Sequence, residues 1–349
     1  MTDEYAPKRF CSLPKVTPVP LPPTLGTPRV QAIRLVKNKW LKGTTLTYFF
    51  KTIGPFGWPE EQKTVVREAF AKWKAVGISL SFKEVHRERD ATLIIGMMLD
   101  DGSWSYVGTD VVSNRRRGCN MNFGWDLTTD WGHATALHEI GHALGMPHEH
   151  QNPKSGIRWN ETAVIAEFSA SPNDWKESDI RFNILRQLDM AEVEGSEWDP
   201  NSIMHYPFKP GMIIAPPPFD TKGTPENLEL NANDRAWMAR FYSPARPAAP
   251  LSTGQLAAIS PEVSAQTDFV IEPQQTRAYR FQAVGEADVK LAILEEDGDD
   301  PTLTLAVADD SGLSANAAVT HVLEAGKRYR LCARTHFAAQ DGGAHVVVV

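Results

Sequence analysis

The sequence predicts an α+β protein, a mixed sheet with flanking helices followed by a small all-β sandwich. Helix-like and strand-like periods interleave up to about residue 242, whereas beyond a break rich in proline and alanine only strand-like runs recur. With 349 residues, 42% of them hydrophobic, the chain has material for two cores. The expected division is 1–35, a proline-rich arm or pro-segment; 36–243, the mixed domain; 244–250, a linker; and 251–349, the sandwich.

Pro14, Pro18, Pro20, Pro22, Pro23 and Pro28 disfavour helix and sheet, so the arm is expected to be extended. Leu46, Tyr48 and Phe50 alternate as in a half-buried strand. A helix opens at Pro59, with Val65, Val66, Ala69, Phe70, Trp73 and Val76 on one apolar face. Residues 78–85 and 91–98 read as strands, and Trp104, Ser105 and Tyr106 fall in the next extended stretch. Helices follow at about 161–170, 175–187 and 234–242, the last with Trp237, Met238 and Phe241 at core spacing. After SPARPAAP, the runs RAYRFQAV, DVKLAILE, TLTLAVAD, KRYRLCAR and AHVVVV read as sandwich strands. The acidic string EEDGDD at 295–300 is either a solvated hairpin tip or a calcium loop.

Composition narrows the partners. A formal charge of -7 argues against nucleic acid, which requires a basic surface. Arg115, Arg116 and Arg117 form the only compact basic run, read as a solvated loop or as a rim that attracts acidic side chains. No apolar run reaches the roughly 18 residues of a membrane helix, so no membrane span is expected. The N-terminus carries no readable signal peptide, yet a secreted or exported location is favoured; oligomeric state cannot be read. Cys11, Cys119 and Cys332 are odd in number and far apart, and give no disulfide framework.

The strongest signal is HEIGHALGMPH at 138–148. On a helix, positions i and i+4 share a face, so His138 and His142 can aim at one Zn2+. Gly145 can turn the chain back in a left-handed conformation and bring in His148 as third ligand. Zinc hydrolysis needs an open position for water and a carboxylate to take its proton, and Glu139 is placed for that. A bare pair of histidines on a helix would be polar surface or a satisfied core pair, but here five positions match together.

The string SIMHY at 202–206 lies downstream. An extended histidine motif with a later methionine turn resembles the metzincin clan of metalloproteases. His148-Glu149-His150, SIMHY, and GSWSYVG at 102–108 resemble the astacin family in particular, over roughly residues 35 to 242. The resemblance implies a metzincin-type catalytic domain, with a twisted mixed sheet, an active-site helix and a mostly helical lower half. It also implies a zinc endopeptidase acting on protein or peptide substrates. Met204 would form the floor under the metal; Tyr206 would bind the zinc and swing away to stabilise the oxyanion. Glu149 would contact a new amino terminus, or else cap a local loop. Trp104, Ser105 and Tyr106 would form the substrate rim beside an edge strand. Astacins of animal type carry disulfides, and Ser103 standing at one such cysteine position suggests a microbial type. His150 and His205 are not counted as ligands, because three protein ligands, water and an optional tyrosine fill the site.

Cys11, in RFCSLP, admits two readings. Its thiolate can occupy the water's position and keep the enzyme latent, as in related matrix metalloproteases, or it is an inert buried residue. The astacin string FxGD has no clear equivalent here. A rival for the whole chain is a surface-binding or adhesion protein with a structural zinc site and a binding sandwich; such a site would close with a fourth strong ligand.

Overall fold

The computed structural model describes residues 10–16, 38–52, 57–190, 197–244, 248–262, 265–285, 287–297, 300–308, 317–337 and 344–349. Most of the expected arm, including Pro18 to Pro28, and residues 245–247 of the expected linker therefore lie outside the described residues. The chain forms two compact units. One holds Thr47–Gly77 and Glu84–Phe241 with the N-terminal segment; the other holds Ile78–Lys83 and Tyr242–Val349 with the described part of Pro18–Leu46.

The first half builds β1 (Thr45–Phe50), α1 (Glu60–Ala75), β2 (Ser81–Glu84), β3 (Leu93–Gly96), β4 (Trp104–Ser105), β5 (Met121–Asn122) and α2 (Asp130–Ala143). The sheet order is β2-β1-β3-β5-β4, with β1, β3 and β5 mutually parallel and β4 antiparallel at the edge. Alternation in β1 predicts one wet face, but both are covered. Tyr48 stacks on Phe70 of α1, and on the other side Thr47 donates to the Asp90 carbonyl. A strand paired on both flanks in a parallel array is ordinarily buried on both faces. The strands expected at 78–85 and 91–98 shorten to four residues each.

Pro59 caps α1 from just outside it, Glu60 and Glu61 open it, and Lys72 and Lys74 close it, matching the helix dipole. Its apolar face, Val65, Val66, Ala69, Phe70 and Trp73, is buried as the spacing predicts. Trp73 Nε1 donates to the Leu137 carbonyl of α2. α2 is buried nearly all round from Gly132 onward, and Thr129 caps it by accepting from Gly132 N.

Beyond α2 come β6 (Arg158–Trp159), α3 (Glu161–Ser169), β7 (Ile213–Ala215), paired with β6, and α4 (Ala232–Phe241). The helix expected at 175–187 is instead a short α turn, Glu177–Ile180, that widens into a π turn over Arg181–Leu185. The Asn183 side chain thereby lies inside, where it engages the arm. Arg115, Arg116 and Arg117 each face a carboxylate, Glu88, Asp101 and Asp100 respectively. The run is therefore a neutralised loop, and the acid-attracting rim is set aside.

The second unit is a β-sandwich of β8 (Ala249–Pro250), β9 (Leu256–Ile259), β10 (Gln266–Ile271), β11 (Arg277–Gly285), β12 (Asp288–Asp297), β13 (Asp300–Ala308), β14 (Ala318–Leu323), β15 (Arg328–Phe337) and β16 (Ala344–Val348). Its sheets run β13-β12-β15-β10-β8 and β14-β11-β16-β9, enclosing Phe269, Phe281, Leu291, Ile293 and Leu331. Residues just before β1 belong to this unit: Leu41 packs on Ala292, Leu294 and Cys332. Gln266 brackets the Lys42 backbone, accepting from its N–H and donating to its carbonyl. Glu295 and Glu296 of the acidic string are engaged by Lys327, Arg328 and Arg330, which leaves them poor calcium ligands.

One close approach positions the centre described next. A Cβ added at Gly141, on α2, would stand 2.5 Å from Met204 Sδ and 3.4 Å from the Trp73 ring. Gly141→Ala should therefore cost about 1–3 kcal/mol through overpacking. Gly57→Ala, where a Cβ meets nothing, serves as the control. Urea unfolding of both variants in chelator, followed by tryptophan fluorescence, checks this, and equal midpoints would refute the close packing.

Candidate metal centre

Three histidines converge because a helix supplies two and a glycine turn delivers the third. His138 and His142 project from the last turns of α2, and Gly145, at φ 101°, reverses the chain. Two hydrogen bonds close the turn, Gly145 N to the His142 carbonyl (2.8 Å) and Met146 N to the Gly141 carbonyl (3.0 Å). His148 then faces His142, with their Nε2 atoms 3.2 Å apart. The Cys11 Sγ lies 3.2 Å from His148 Nε2 and 3.5 Å from His142 Nε2. Ligand atoms of Cys11, His138, His142 and His148 all lie within 4.8 Å of one another, the one such group of three or more among the described residues.

The surroundings prepare these rings to ligate. His138 Nδ1 donates to the Ile203 carbonyl (2.8 Å) and His142 Nδ1 to the Met146 carbonyl (2.7 Å), which leaves each Nε2 a lone pair. Burial pushes His138 down to about 4 and holds His142 and His148 well below the usual imidazole range, so all three present the neutral, metal-binding form. His138 Nε2 has no hydrogen-bond partner among the described residues. Lone pairs crowded this closely, one of them orphaned in the interior, fit a shared cation. Nitrogen and sulfur donors in a fourfold set suit zinc.

Glu139, fully buried beside the cluster, has neither carboxylate oxygen hydrogen-bonded among the described residues. Burial raises its carboxyl well above the ordinary range, while the neighbouring Cys11 thiol pulls the other way. Burial likewise raises the Cys11 thiol, and the Glu139 charge adds to the rise. An orphaned buried carboxyl costs stability, and here it stands beside the Cys11–His138–His142–His148 cluster.

Met204, fully buried, lies against α2 at Gly141. The Tyr206 hydroxyl donates to the Cys11 carbonyl and lies 2.8 Å from His148 Nε2. Glu149 accepts from Asn152 Nδ2 (2.9 Å) and Asp199 N (3.0 Å), thus bracing two loops, and burial lifts its carboxyl to about 7. His150 Nε2 donates to the Asn183 carbonyl and the ring stacks on His148, and His205 Nδ1 donates to the Tyr206 carbonyl. Neither joins the ligand group. The side chains of Trp104, Ser105 and Tyr106 turn inward and are buried, so the edge there offers main chain. Its Ser103 carbonyl accepts from Ser12 N of the arm (3.1 Å).

Several contributors escape sequence reading. Leu13 N donates to Asn183 Oδ1, Lys15 pairs with Asp179, and Phe10 packs on Phe168 and Tyr206, so residues 10–15 are fastened along the site. Asp234 accepts from Ser202 Oγ (2.6 Å), Ile203 N (3.0 Å) and Asn231 N (3.0 Å), and so fixes the methionine turn to the start of α4. The string NAND at 231–234 is a helix-capping signal that could have pointed to it. Asp234→Ala should strand those buried donors and cost about 1–3 kcal/mol for the principal one lost. Asp234→Asn, which keeps an acceptor, should cost less; thermal melts of both variants in chelator decide, and equal losses would remove this bracing role.

A sequence profile of the peptidase family Astacin matches residues 32–211, a little over half of the chain. Among solved structures, myroilysin is 28% identical at a TM-score of 0.53, the match covering 59% of this chain and 96% of that one. High choriolytic enzyme 1, a hatching enzyme zinc-protease from Oryzias latipes (Medaka fish), is 16% identical at a TM-score of 0.42, over 60% of this chain and 96% of that one. A search among curated proteins gives no match.

Proposed function

The chain belongs to the astacin family of zinc metallopeptidases, and from that premise we propose that Glu139 is the general base of peptide hydrolysis and that Cys11 keeps the full-length chain latent. The observation that carries the first half is the buried, unpartnered Glu139 carboxyl beside three converging imidazoles. Zinc held by His138, His142 and His148 would supply Lewis acidity, polarising a scissile carbonyl and acidifying water.

The chain's own residues do the rest. Glu139 takes the proton of the attacking water and passes it to the leaving amine. With no hydrogen-bond partner at its oxygens among the described residues other than the neighbouring Cys11 thiol, that carboxyl is available for both transfers once the arm is displaced. Tyr206 now donates to the Cys11 carbonyl; without the arm, the same O–H is available to an oxyanion. The Ser103 carbonyl, now taken by Ser12 N, would accept from an extended substrate backbone and tolerate many sequences. Met204, packed against the helix at Gly141, would form the apolar floor of the centre.

Latency is supported by position. The Cys11 sulfur stands among the ligand nitrogens, and the segment around it occupies the edge acceptor and the Tyr206 hydroxyl together. A thiolate on zinc would exclude the water that Glu139 needs.

One observation favours the structural-zinc reading: three histidines and a cysteine make a complete fourfold set. Glu139 separates the two readings, because a purely structural site gives no use to a buried carboxyl without a partner.

Glu139→Ala should keep stoichiometric zinc by elemental analysis while cleavage of casein falls by about 10²-fold or more. Residual turnover near that of the parent would remove Glu139 from its role. Cys11→Ala should raise the activity of the intact chain without proteolytic trimming; unchanged activity would dismiss the switch. A zinc chelator should abolish cleavage, and added zinc restore it.

A further inference from the structure

Two consecutive backbone amides of the arm bond to two different elements beside the metal centre. Ser12 N donates to the Ser103 carbonyl at the sheet edge (3.1 Å), and Leu13 N donates to Asn183 Oδ1 (2.9 Å). Pro14 pushes Leu13 towards extended backbone, and successive N–H groups of an extended chain point to opposite sides. The two acceptors therefore flank one strand. A sheet edge alone engages every second amide; Asn183 engages the one between.

Asn183 is set up to accept. It is buried, at 2% exposed. Its Nδ2 donates to the Asp179 carbonyl (3.1 Å), which fixes the orientation of the amide and aims Oδ1 at the arm. Its main chain is anchored too: the Asn183 carbonyl accepts from His150 Nε2 (2.8 Å), and the adjacent Phe182 carbonyl accepts from Gln151 Nε2 (2.8 Å). His150 and Gln151 closely follow the third histidine, His148, so the π turn is tied to the loop that completes the metal centre. The acceptor thus holds a fixed place relative to the reacting atoms. Displacing the arm takes away the donor that Oδ1 now has, and a buried acceptor favours any N–H that replaces it.

We propose that Asn183 binds the main chain of the substrate: its Oδ1 accepts a backbone N–H of an extended peptide, one residue along from the amide held by the Ser103 carbonyl. Cys11, whose sulfur lies among the ligand nitrogens, precedes Leu13 by two residues, so the amide in question belongs to a residue near the scissile bond. The requirement falls on the backbone and leaves the side chain free. An asparagine oxygen accepts and cannot donate, so proline, with no N–H, is excluded from that one position. The arm obeys the same rule, since its Pro14 comes after both donors. The inference rests on the peptidase reading above.

The test is steady-state kinetics on one cleavable peptide and on copies N-methylated at a single backbone nitrogen, taken position by position on both sides of the cleaved bond. The enzyme is the full chain carrying Cys11→Ala, alongside the parent chain after limited proteolysis of its arm. N-methylation at either of two consecutive residues should lower kcat/KM by about tenfold, the loss expected for one buried hydrogen bond. Asn183→Ala, added to the Cys11→Ala chain, should erase the penalty at one of those positions and leave it at the other. A purely structural role does not produce that coupling. Asn183→Asp, which keeps an oxygen acceptor, should retain both penalties. The scan with Asn183 intact stays decisive even if neither variant folds. Sensitivity at alternate residues only, the mark of a sheet edge acting alone, would overturn the proposal, as would both penalties surviving in Asn183→Ala. Cleavage that persists in Glu139→Ala, or its absence in both enzyme forms, would instead overturn the peptidase reading itself.

Discussion

Convergence of three imidazole nitrogens on one small volume is the constraint that the surrounding fold serves. A helix places two rings one turn apart, and only a residue tolerant of positive φ lets the chain double back quickly enough for the third. Gly145 at φ 101° makes that reversal, and Gly141 thins the helix where Met204 must approach. The carbonyls of Ile203 and Met146 fix the tautomers of His138 and His142, one from the methionine turn and one from the glycine turn itself. Asp234 fixes the methionine turn in its place. The burial that keeps the rings neutral also raises the Glu139 carboxyl, so one arrangement acts on the ligands and on the proposed base together.

The arm turns the same chemistry to another use. Residues 10–15 engage the edge carbonyl of Ser103, the amide of Asn183, the hydroxyl of Tyr206 and the nitrogens of two ligands. The Ser103 carbonyl and the Tyr206 hydroxyl are groups that the proposed mechanism assigns to substrate, and the arm engages both. Lys15 with Asp179 is half-exposed and contributes little, on the order of 0–1 kcal/mol. Phe10 adds ring contacts to Phe168 and Tyr206 on the same segment.

The centre was legible in the sequence to an unusual degree because its spacing is set by helix geometry, which is local. His138, Glu139, His142, Gly145 and His148 follow from periods of 3.6 and one conformational exception. The arm is different: that Cys11 meets residues 131 and 137 positions away depends on tertiary packing, which RFCSLP alone does not encode. Likewise Asn183 lies in a π turn where the sequence reads as a regular helix, and Trp125, Trp131 and Asn227 share a cavity no period announces. Alternation foretold β1 but not its burial on both faces, since a strand's neighbours are fixed by the sheet order. In the sandwich β11, β12, β13, β15 and β16 stood out as regular runs, while β9 is only the four residues Leu256–Ile259 and β10 opens on the polar Gln266, Thr267 and Asp268, so neither offered a clear alternation.

X-ray absorption at the zinc edge of the full-length chain, loaded with one equivalent of metal, probes the convergence most directly. Three imidazole scatterers and one sulfur are predicted, the sulfur vanishing in Cys11→Ala while the imidazoles stay. Fewer than three imidazoles, or a shell made wholly of oxygen, would contradict the centre on which the peptidase chemistry rests.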